Sequence, residues 1–481
     1  MKKTLLTIIL SSLCAVIPMQ AQQETYFSGL LLNDSAYAQI PQKPALLTRS
    51  YEALPAAHSL KPYCPATKSQ GSYGTCTGWA TAYAARTIAE AAANGWQESS
   101  QITGEAFSPL FVYALIKDAS DVNCQKGAYL HSAFEILKTK GDVKYRDFNS
   151  NCPSSIPDEL YSKALPHAID NYFTLFPYGE DSYAKKINTT KKAIAENRPV
   201  VISMASYTSF HNSSEEVWSG TADYKRGYHA MCVVAYDDNQ YGGAFLLMNS
   251  WGSYWGDKGF KWVRYADYSR HVNYAIEMYV RKKNVPPAPV PPVPPVPPQP
   301  KPEPVDLSGE LHFVLSTGQE MLPHLHTLNN IPYYKLEGSY ISGTRYRLYL
   351  SNDEPAYVYV IGSDLKNSVT KVFPPNERIS AALVYKSNDI AIPDEKWHIV
   401  MDNTPGKDYA CVLYSRDELP VDAIVAKMKA ESGSFFEKVY KVLADKIVPA
   451  PTVHYDLSTI KFSVKNTEKI VVPVIVEIEH R

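Results

Sequence analysis

The feature that most constrains the fold is a proline tract that divides the chain in two. Between residues 286 and 304 the sequence has 12 prolines in 19 positions, with repeated Pro-Pro-Val units. Such a tract lacks backbone donors and apolar periodicity, and it favours an extended polyproline II conformation. Residues 285–305 are therefore predicted to be a semi-rigid linker between two domains. A docking site for a proline-recognition module is the alternative.

Size and charge agree with two globular domains. The chain has 481 residues, which is more than one hydrophobic core usually organises. With a net charge of −1 and 20% charged residues, it shows no sign of the concentrated basic face typical of nucleic-acid binding. We therefore expect no nucleic-acid partner. The first domain is predicted at residues 58–284 and the second at residues 306–481.

The N-terminus has the features of a secretory signal peptide. A basic start is followed by an apolar run over residues 5–17 and by a small residue, Ala21. The run is too short to span a bilayer, and no later segment is apolar enough to do so. Leu13 precedes Cys14, where a lipid-anchored protein would have a small residue. We predict that residues 1–21 are removed and that the protein is secreted, periplasmic or attached to the cell surface.

The next segment, residues 22–57, has little periodicity and several turn-forming residues. It is either a short pro-segment or an N-terminal arm that packs on the following domain. From Cys76 to Asn94 the chain is rich in alanine and Gly95 follows, which predicts a helix with a glycine stop. Further helices are predicted at residues 129–138 and 184–196.

After the predicted helices, the rest of the first domain is predicted to form strands. Residues 200–204, 230–236 and 245–249 are apolar and are separated by turn signals, which predicts strands. Helices followed by strands predict an α+β fold of two sub-domains with a cleft between them.

The second domain is predicted to be β-rich. Strands are expected at residues 346–350, 357–361, 369–373, 397–401, 409–414 and 470–478, and helices at residues 421–429 and 435–444. His324 and His326 could bind a metal, but no third ligand cluster lies nearby, so this pair is predicted to lie in a loop. No metal site and no cofactor are expected.

Six cysteines follow the signal peptide, at positions 64, 76, 124, 152, 232 and 411. If Cys76 is a catalytic thiol, five remain, so at least one other is unpaired or bonded elsewhere. The preferred disulfide joins Cys124 to Cys152 and closes a surface loop. Cys232 lies in an apolar run and is interpreted as a buried free thiol.

One cysteine has the surroundings of a nucleophile. The turn-rich segment from Gln70 to Gly74 leads to Cys76 at the start of the alanine-rich helix. At such a position, unsatisfied N–H groups and the helix dipole stabilise a thiolate. A nucleophilic cysteine also needs a proton acceptor, and His229 opens a later apolar run. Asn249 ends the next predicted strand and is followed by Ser-Trp-Gly.

These residues resemble the papain-like cysteine peptidase family, in its exported bacterial form. The family pairs a Q-G-x-x-G-x-C segment with a His-Ala strand and a later N-S-W-G-x-x-W-G-x-x-G-[YF] block, and the chain has all three in order. The separation from Cys76 to His229 is 229 − 76 = 153 residues, close to that of the family. The resemblance covers residues 58–282 and implies a helical lobe and a β-barrel-like lobe.

The resemblance also implies a role for each residue. Cys76 would attack the scissile carbonyl, and His229 would hold the ion pair and then protonate the leaving amine. Asn249 would orient the imidazole, and Trp251 would shield their hydrogen bond. The Gln70 side chain would stabilise the oxyanion together with the backbone N–H of the nucleophile.

The substrate-binding strip departs from the family pattern. Residues 124–127 are similar to the family's Cys-Asn-Gly-Gly strip, whose backbone pairs with substrate, and Gly127 fits that pattern. Lys126 replaces a glycine. Tyr73 replaces a cysteine. The usual tryptophan directly after the nucleophile is replaced by Thr77, and Trp79 lies one helical turn after Cys76. The chemistry is expected to be retained, with a specificity of its own.

The sequence therefore predicts a secreted cysteine endopeptidase that acts on protein or peptide substrates through an acyl-enzyme intermediate. One alternative is an aminopeptidase similar to bleomycin hydrolases, which needs something that blocks one end of the cleft. The other is a non-catalytic surface-binding protein that retains the fold. The second domain, similar to β-rich domains of exported bacterial enzymes, is expected to position the peptidase or to bind a cell-surface partner.

Overall fold

The computed structural model describes residues 26–281, 305–364 and 368–481. The predicted signal peptide and the proline tract lie outside the described residues, and of the predicted linker only Val305, the first residue of a strand, is described. Among the described residues, no helix combines the length and the apolar character needed to cross a bilayer.

The region before the proline tract is a mixture of helices and strands. Its helices are α1 Asp34–Tyr37, α2 Thr48–Glu52, α3 Cys76–Gly78, α4 Thr87–Asn94, α5 Ser99–Gly104, α6 Pro109–Ile116, α7 Leu130–Thr139, α8 Asp158–Ala164, α9 Tyr183–Ala195, α10 Thr208–Asn212 and α11 Tyr265–His271. Its strands are β1 Leu30–Leu31, β2 Ala57–Ser59, β3 Ala128–Tyr129, β4 Asn171–Thr174, β5 Val200–Tyr207, β6 Lys225–Asp237, β7 Ala244–Met248, β8 Phe260–Arg264 and β9 Val272–Tyr279.

These nine strands form one sheet, in which β6 is central. Strand β6 pairs with β1, β2, β5 and β7, and β5 continues the sheet to β9 and β4. Eight consecutive residues of β6 and seven of β5 are buried, so both faces of these strands are covered. Runs of this kind are apolar without alternation, and for that reason they were recognisable in the sequence as strands.

The predicted helix from Cys76 to Asn94 is confirmed, with one irregular part. A π-helical segment, Trp79–Arg86, joins α3 to α4, and Gly95 ends the helix with a left-handed φ of 65°. Gly78 allows close packing, because a Cβ there would lie 2.1 Å from the carbonyl oxygen of Pro109 in α6. The helix that begins at Cys76 is thereby packed tightly against α6.

The region after the proline tract is a β-rich domain, as predicted, and its strands form two sheets. Its strands are β10 Val305–Leu315, β11 Pro323–Leu328, β12 Ile331–Leu336, β13 Arg345–Asn352, β14 Ala356–Ser363, β15 Val369–Phe373, β16 Ala382–Leu383, β17 Asn388–Ile392, β18 Ile399–Val400, β19 Gly406–Ser415, β20 His454–Tyr455, β21 Ile460–Thr467 and β22 Val471–His480. Helices α12 Val421–Ala430 and α13 Phe435–Leu443 follow β19. One sheet contains β17-β13-β10-β21-β20 with β18, and the other β11-β12-β22-β19-β14-β15 with β16.

Two details of the sequence prediction for this domain are wrong. His324 and His326 lie in strand β11, which pairs with β12 as a hairpin, and not in a loop. The predicted strand over residues 397–401 is only the two-residue strand Ile399–Val400. Trp397 is 70% exposed and lies outside this short strand, so its aromatic side chain did not indicate a strand here.

The cysteine predictions agree with the structure. Cys124 and Cys152 form a disulfide, with their Cα atoms 5.7 Å apart. The four other described cysteines are free and buried: Cys64, Cys76, Cys232 and Cys411.

Candidate active site

Three distant parts of the chain bring the predicted catalytic residues together. Cys76 is the first residue of α3, His229 lies within β6, and Asn249 follows directly after β7. The antiparallel pairing of β6 with β7 sets His229 beside Asn249. Burial raises the pKa of the Cys76 thiol, and hydrogen bonding from the backbone of Ala230, the residue after His229, partly opposes this effect, so the sulfur lies beside that strand. His229 is therefore a mid-strand residue, and not the first residue of its strand as predicted.

The imidazole of His229 is oriented by a hydrogen bond and a stacked ring. Its Nε2 lies 2.7 Å from Oδ1 of Asn249. The ring of Trp251 stacks on it, with centroids 4.4 Å apart and planes inclined by 22°. Both rings are buried, so water has little access to the bond between His229 and Asn249. Among the described residues, Nδ1 of His229 has no hydrogen-bond partner and is available for a proton from another group.

The side-chain amide of Gln70 is fixed by a residue of the Asn-Ser-Trp-Gly segment. The hydroxyl of Ser250 donates to Oε1 of Gln70 over 2.6 Å. The opposite end of the amide, Nε2, donates to the carbonyl oxygens of Tyr73 at 2.6 Å and of Phe27 at 3.2 Å. Ser250 thereby selects the orientation in which the amide N–H groups face the cleft.

The cleft is occupied by the N-terminal arm of the same chain. The backbone N–H of Gly29 donates to Sγ of Cys76 at 3.3 Å. The next residue, Leu30, pairs in β1 with Ala128 of β3 on one side and with Tyr228 of β6 on the other. Residues 26–32, which we call the cleft strand, therefore run past Cys76 between β3 and β6.

The cleft strand also covers the other side of Cys76. The carbonyl oxygen of Phe27 accepts hydrogen bonds from Gln70 and from Nε1 of Trp251, the latter at 3.1 Å. The Tyr26 ring stacks on Trp251 with a centroid distance of 5.0 Å. Backbone and aromatic contacts on both sides of the thiol close the cleft.

Glycines allow this close approach. A Cβ at Gly29 would lie 2.0 Å from the carbonyl oxygen of Gly74, and one at Gly127 would lie 2.0 Å from the carbonyl oxygen of Gly29. Gly127 has a φ of 81°, and the N–H of the following residue, Ala128, donates to the Gly29 carbonyl at 2.9 Å. The predicted strip around Gly127 thus contacts an extended backbone, here that of the arm.

The cleft strand is not oriented for its own hydrolysis. Because the Gly29 N–H points at the sulfur, Sγ of Cys76 lies at the edge of the peptide group that joins Ser28 to Gly29. Nucleophilic attack requires approach to the face of the carbonyl carbon, and in a trans peptide the carbonyl oxygen points away from the N–H. The carbonyl that contacts Gln70 belongs to Phe27, one peptide group earlier.

Burial keeps the thiol and the imidazole in their neutral forms. Desolvation raises the pKa of the Cys76 thiol, although backbone N–H groups, including that of Gly29, oppose the effect. Desolvation also lowers the pKa of His229 to about 3, against a smaller opposing effect of Asn249. With the cleft closed, the pair at neutral pH is a thiol and an imidazole. The thiolate and imidazolium form requires water to return to the cleft.

The six residues that the sequence analysis assigned to the site all lie in or beside this cleft: Gln70, Cys76, Gly127, His229, Asn249 and Trp251. Two further residues of the site, Ser250 and Gly29, were not predicted from the sequence. Ser250 was part of the quoted motif without a role, and its neighbour Asn249 was the signal that it lies in the site. Gly29 had no sequence signal beyond its position in the arm.

In the described parts of the chain, no group of three or more His, Cys, Asp or Glu side chains is arranged to hold a metal ion. His324 is 3.8 Å from a carboxylate oxygen of Glu337 in the C-terminal domain.

A nucleophilic cysteine at a helix start, with a histidine oriented by an asparagine, is the arrangement of a cysteine-dependent hydrolase. Residues 60–281 match the family model described as papain family cysteine protease. These residues therefore belong to the papain family of cysteine proteases. Residues 339–418 match a domain of unknown function, DUF4384.

Curated relatives match part of this domain. The chain is 34% identical over 85 residues to cathepsin B-like cysteine proteinase 2 of Haemonchus contortus. The alignment covers 17% of this chain and 25% of the relative. It is 27% identical over 208 residues to cathepsin L1 of Drosophila melanogaster, and this alignment covers 40% of this chain and 49% of the relative. The chain thus spans between a quarter and a half of the length of these relatives.

Among solved structures, xylellain, a cysteine protease from Xylella fastidiosa, aligns with a TM-score of 0.43 at 21% identity. The alignment covers 54% of this chain and 97% of xylellain.

Proposed function

We propose that the chain is a cysteine endopeptidase whose nucleophile is Cys76. The observation that carries this proposal is the convergence of Cys76, His229 and Asn249 in one cleft, with Trp251 stacked on the histidine. The Nε2 bond to Asn249 leaves Nδ1 of His229 for the thiol proton. The imidazolium would then protonate the leaving amine, and the imidazole would activate water for deacylation.

Stabilisation of the oxyanion is assigned to Gln70 and to the backbone N–H of Cys76. The Gln70 amide already donates to a peptide carbonyl oxygen of the cleft strand, so it can donate to a substrate carbonyl at the same place. Ser250 would keep this amide in orientation during turnover. Gly127 and Ala128 would pair with the substrate backbone, since they now contact the arm backbone.

The substrate class follows from what the cleft accepts. The cleft strand is an extended segment of polypeptide that continues past Cys76 in both directions, with residues on each side in contact with the walls. A cleft that holds chain on both sides of the nucleophile suits internal bonds of unfolded or extended proteins. This favours an endopeptidase over the aminopeptidase alternative, which requires one side to be blocked.

Residues 26–32 must leave the cleft before a substrate can enter. We infer that this segment keeps the newly made enzyme inactive, in part by excluding substrate and in part by keeping the thiol and the imidazole neutral. Export is part of the same proposal: residues 1–21 would be removed as a signal peptide, and activity would be released outside the cytoplasm. N-terminal sequencing of the exported protein tests whether residues 1–21 are removed.

The test of function is hydrolysis of a mixed fluorogenic peptide library by protein whose cleft has been opened. We expect hydrolysis at internal bonds and none by the matched Cys76→Ala protein. Absence of hydrolysis by the opened protein under reducing conditions would favour a non-catalytic role in binding. Cleavage that removes only one residue or dipeptide at a time would favour the aminopeptidase alternative.

A further inference from the structure

The N-terminal arm continues beyond the cleft and remains anchored to the peptidase domain. In α1 the hydroxyl of Tyr37 donates to the carbonyl oxygen of Phe176 at 2.7 Å. The Tyr37 ring stacks on Tyr274 with centroids 4.1 Å apart, and the Tyr274 hydroxyl donates to Asp34. Helix α1 therefore fixes the position at which the cleft strand ends.

Further on, the arm lies between the two domains as a shared strand. On one side the N–H of Lys43 donates to the carbonyl oxygen of Thr174, at 3.2 Å, in β4 of the peptidase domain. On the other side the N–H of Gln42 donates to the carbonyl oxygen of Arg378 at 2.7 Å, and Ser380 returns a bond to Gln42 at 2.8 Å. Both edges of the arm are thus paired, one with each domain.

A buried ionic contact joins the same three parts of the chain. Lys43 of the arm pairs with Glu277 of β9 at 2.8 Å, and the hydroxyl of Tyr385 in the C-terminal domain donates to the other carboxylate oxygen at 2.6 Å. All three side chains are buried, and desolvation lowers the pKa of Lys43 to about 7 against the opposing charge of Glu277. Removal of one member would leave a buried charge incompletely paired, which is strongly destabilising.

The contact with the C-terminal domain extends through α2. The N–H of Leu47 donates to the carbonyl oxygen of Asp389 at 2.8 Å, and the hydroxyl of Thr48 donates to Glu395 at 2.8 Å. A cavity of about 310 Å³ lies beside these contacts and has Lys43 and Tyr385 in its wall. Hydrogen bonds therefore hold the arm against the C-terminal domain, and a cavity lies beside them.

We propose that the face of the C-terminal domain formed by residues 378–395 is the binding surface for the N-terminal arm, and that this docking holds Gly29 against Cys76. The proposal rests on the proposed function, in which residues 26–32 close the cleft. The cleft strand and the docked residues 42–48 belong to one short piece of chain. Each attachment therefore raises the effective concentration of the other, and loosening of the docked part favours opening of the cleft.

The test measures exposure of Cys76 in full-length protein by its rate of alkylation with iodoacetamide, followed by peptide mapping. Lys43→Met removes the buried cation, and Tyr385→Phe removes only the hydroxyl and serves as the milder variant. Both substitutions lie outside the cleft. We expect Lys43→Met to raise the rate at Cys76 about tenfold and Tyr385→Phe to raise it by less, because a weakened local contact increases the population of the open form. The mapped rates at the buried Cys232 and Cys411 are the internal controls.

The double variant Lys43→Met/Glu277→Gln replaces the buried pair with neutral groups of similar shape. It is expected to return the alkylation rate towards that of the wild type, because no unpaired charge remains. An unchanged rate in both single variants would overturn the proposal. Rates that rise equally at Cys76, Cys232 and Cys411 in the single variants would also overturn it, because the effect would then be general loosening.

Alkylation reports exposure of the thiol and is independent of peptide hydrolysis, so the two proposals can fail separately. Faster alkylation of Lys43→Met without hydrolysis of any peptide would retain the docking proposal and reject the peptidase. Hydrolysis by a protein with an opened cleft, with unchanged alkylation in both Lys43→Met and Tyr385→Phe, would retain the peptidase and reject docking.

Discussion

The backbone N–H of Gly29 donates a hydrogen bond to Sγ of Cys76 at 3.3 Å, so the chain's own arm contacts the proposed nucleophile. This contact places a peptide edge, and not a carbonyl face, against the sulfur. The proposed enzyme is thus closed by a segment that resembles a substrate in its extended backbone and differs from one in its orientation. The predictions below use this relationship to separate closure from catalysis.

Gly29→Ala is predicted to open the cleft. The added Cβ would lie 2.0 Å from the carbonyl oxygen of Gly74, a backbone atom that cannot move away without shifting the wall of the cleft. The cleft strand should therefore detach while the catalytic residues stay unchanged. Labelling of Cys76 by an epoxide thiol probe is expected to increase at least tenfold over the wild type, since a displaced segment no longer excludes the probe.

Gly104→Ala is the matched control for this substitution. Gly104 lies at the end of α5, and a Cβ there would meet no atom within 4 Å. The control protein is expected to label as slowly as the wild type. Equal labelling of Gly29→Ala and wild type would show that residues 26–32 do not control access to the thiol.

The pH dependence of alkylation is predicted to differ between closed and open protein. In the closed protein, burial raises the pKa of Cys76, so thiolate accumulates and alkylation accelerates only at a pH above the usual range of a cysteine thiol. In Gly29→Ala, water returns, the pKa of His229 rises from its buried value of about 3, and an imidazolium can stabilise the thiolate. The apparent pKa of Cys76 should therefore fall. Superimposable pH profiles for the two proteins would contradict this account of the closed state.

Ser250 is predicted to act through Gln70. In the Gly29→Ala background, Gln70→Ala should lower kcat about a hundredfold by removing an oxyanion donor. Ser250→Ala leaves the amide in place without its 2.6 Å bond, so we expect a smaller loss of about tenfold in kcat with little change in KM.

A double-mutant cycle distinguishes this positioning role from a general structural one. If Ser250 acts only by orienting the amide, Ser250→Ala should cost nothing further in a protein that already carries Gln70→Ala. Independent, additive losses in kcat would show that Ser250 affects the site by another route.

The disulfide between Cys124 and Cys152 is predicted to stabilise the loop that carries Gly127. With a sequence separation of 28 residues, its replacement by two serines should lower the free energy of unfolding by about 3.6 kcal/mol through the entropy of the unfolded chain. Urea denaturation of the double Cys→Ser protein and of the wild type measures this difference. Identical unfolding midpoints and slopes would show that the bond makes no contribution to stability.

The arrangement around Cys76 was predictable because its parts leave local signals. A turn-rich loop before an alanine-rich segment predicts a helix start, and the apolar run after His229 predicts a strand. The structure has both, with the helix from Cys76 to Asn94 and strand β6. The Asn249 segment carried enough of the family motif to place the third residue beside them.

The closure of the cleft was not predictable from the same sequence. Strand β1 has two residues, Leu30 and Leu31, which is too short for any periodicity, and it forms only because Ala128 and Tyr228 are brought to either side of it by the fold. Short segments of this kind take their conformation from distant partners. The hairpin strand that contains His324 escaped prediction for a similar reason, because its pairing with β12 outweighs a weak local preference.

Hydrolysis of a mixed peptide library by Gly29→Ala, compared with Gly29→Ala/Cys76→Ala, tests the central claim most directly. Both proteins have an opened cleft and differ only in the thiol. The account predicts cleavage at internal peptide bonds by the first protein under reducing conditions and no cleavage by the second. Equal cleavage by both, or no cleavage by Gly29→Ala although the epoxide probe labels Cys76, would contradict it.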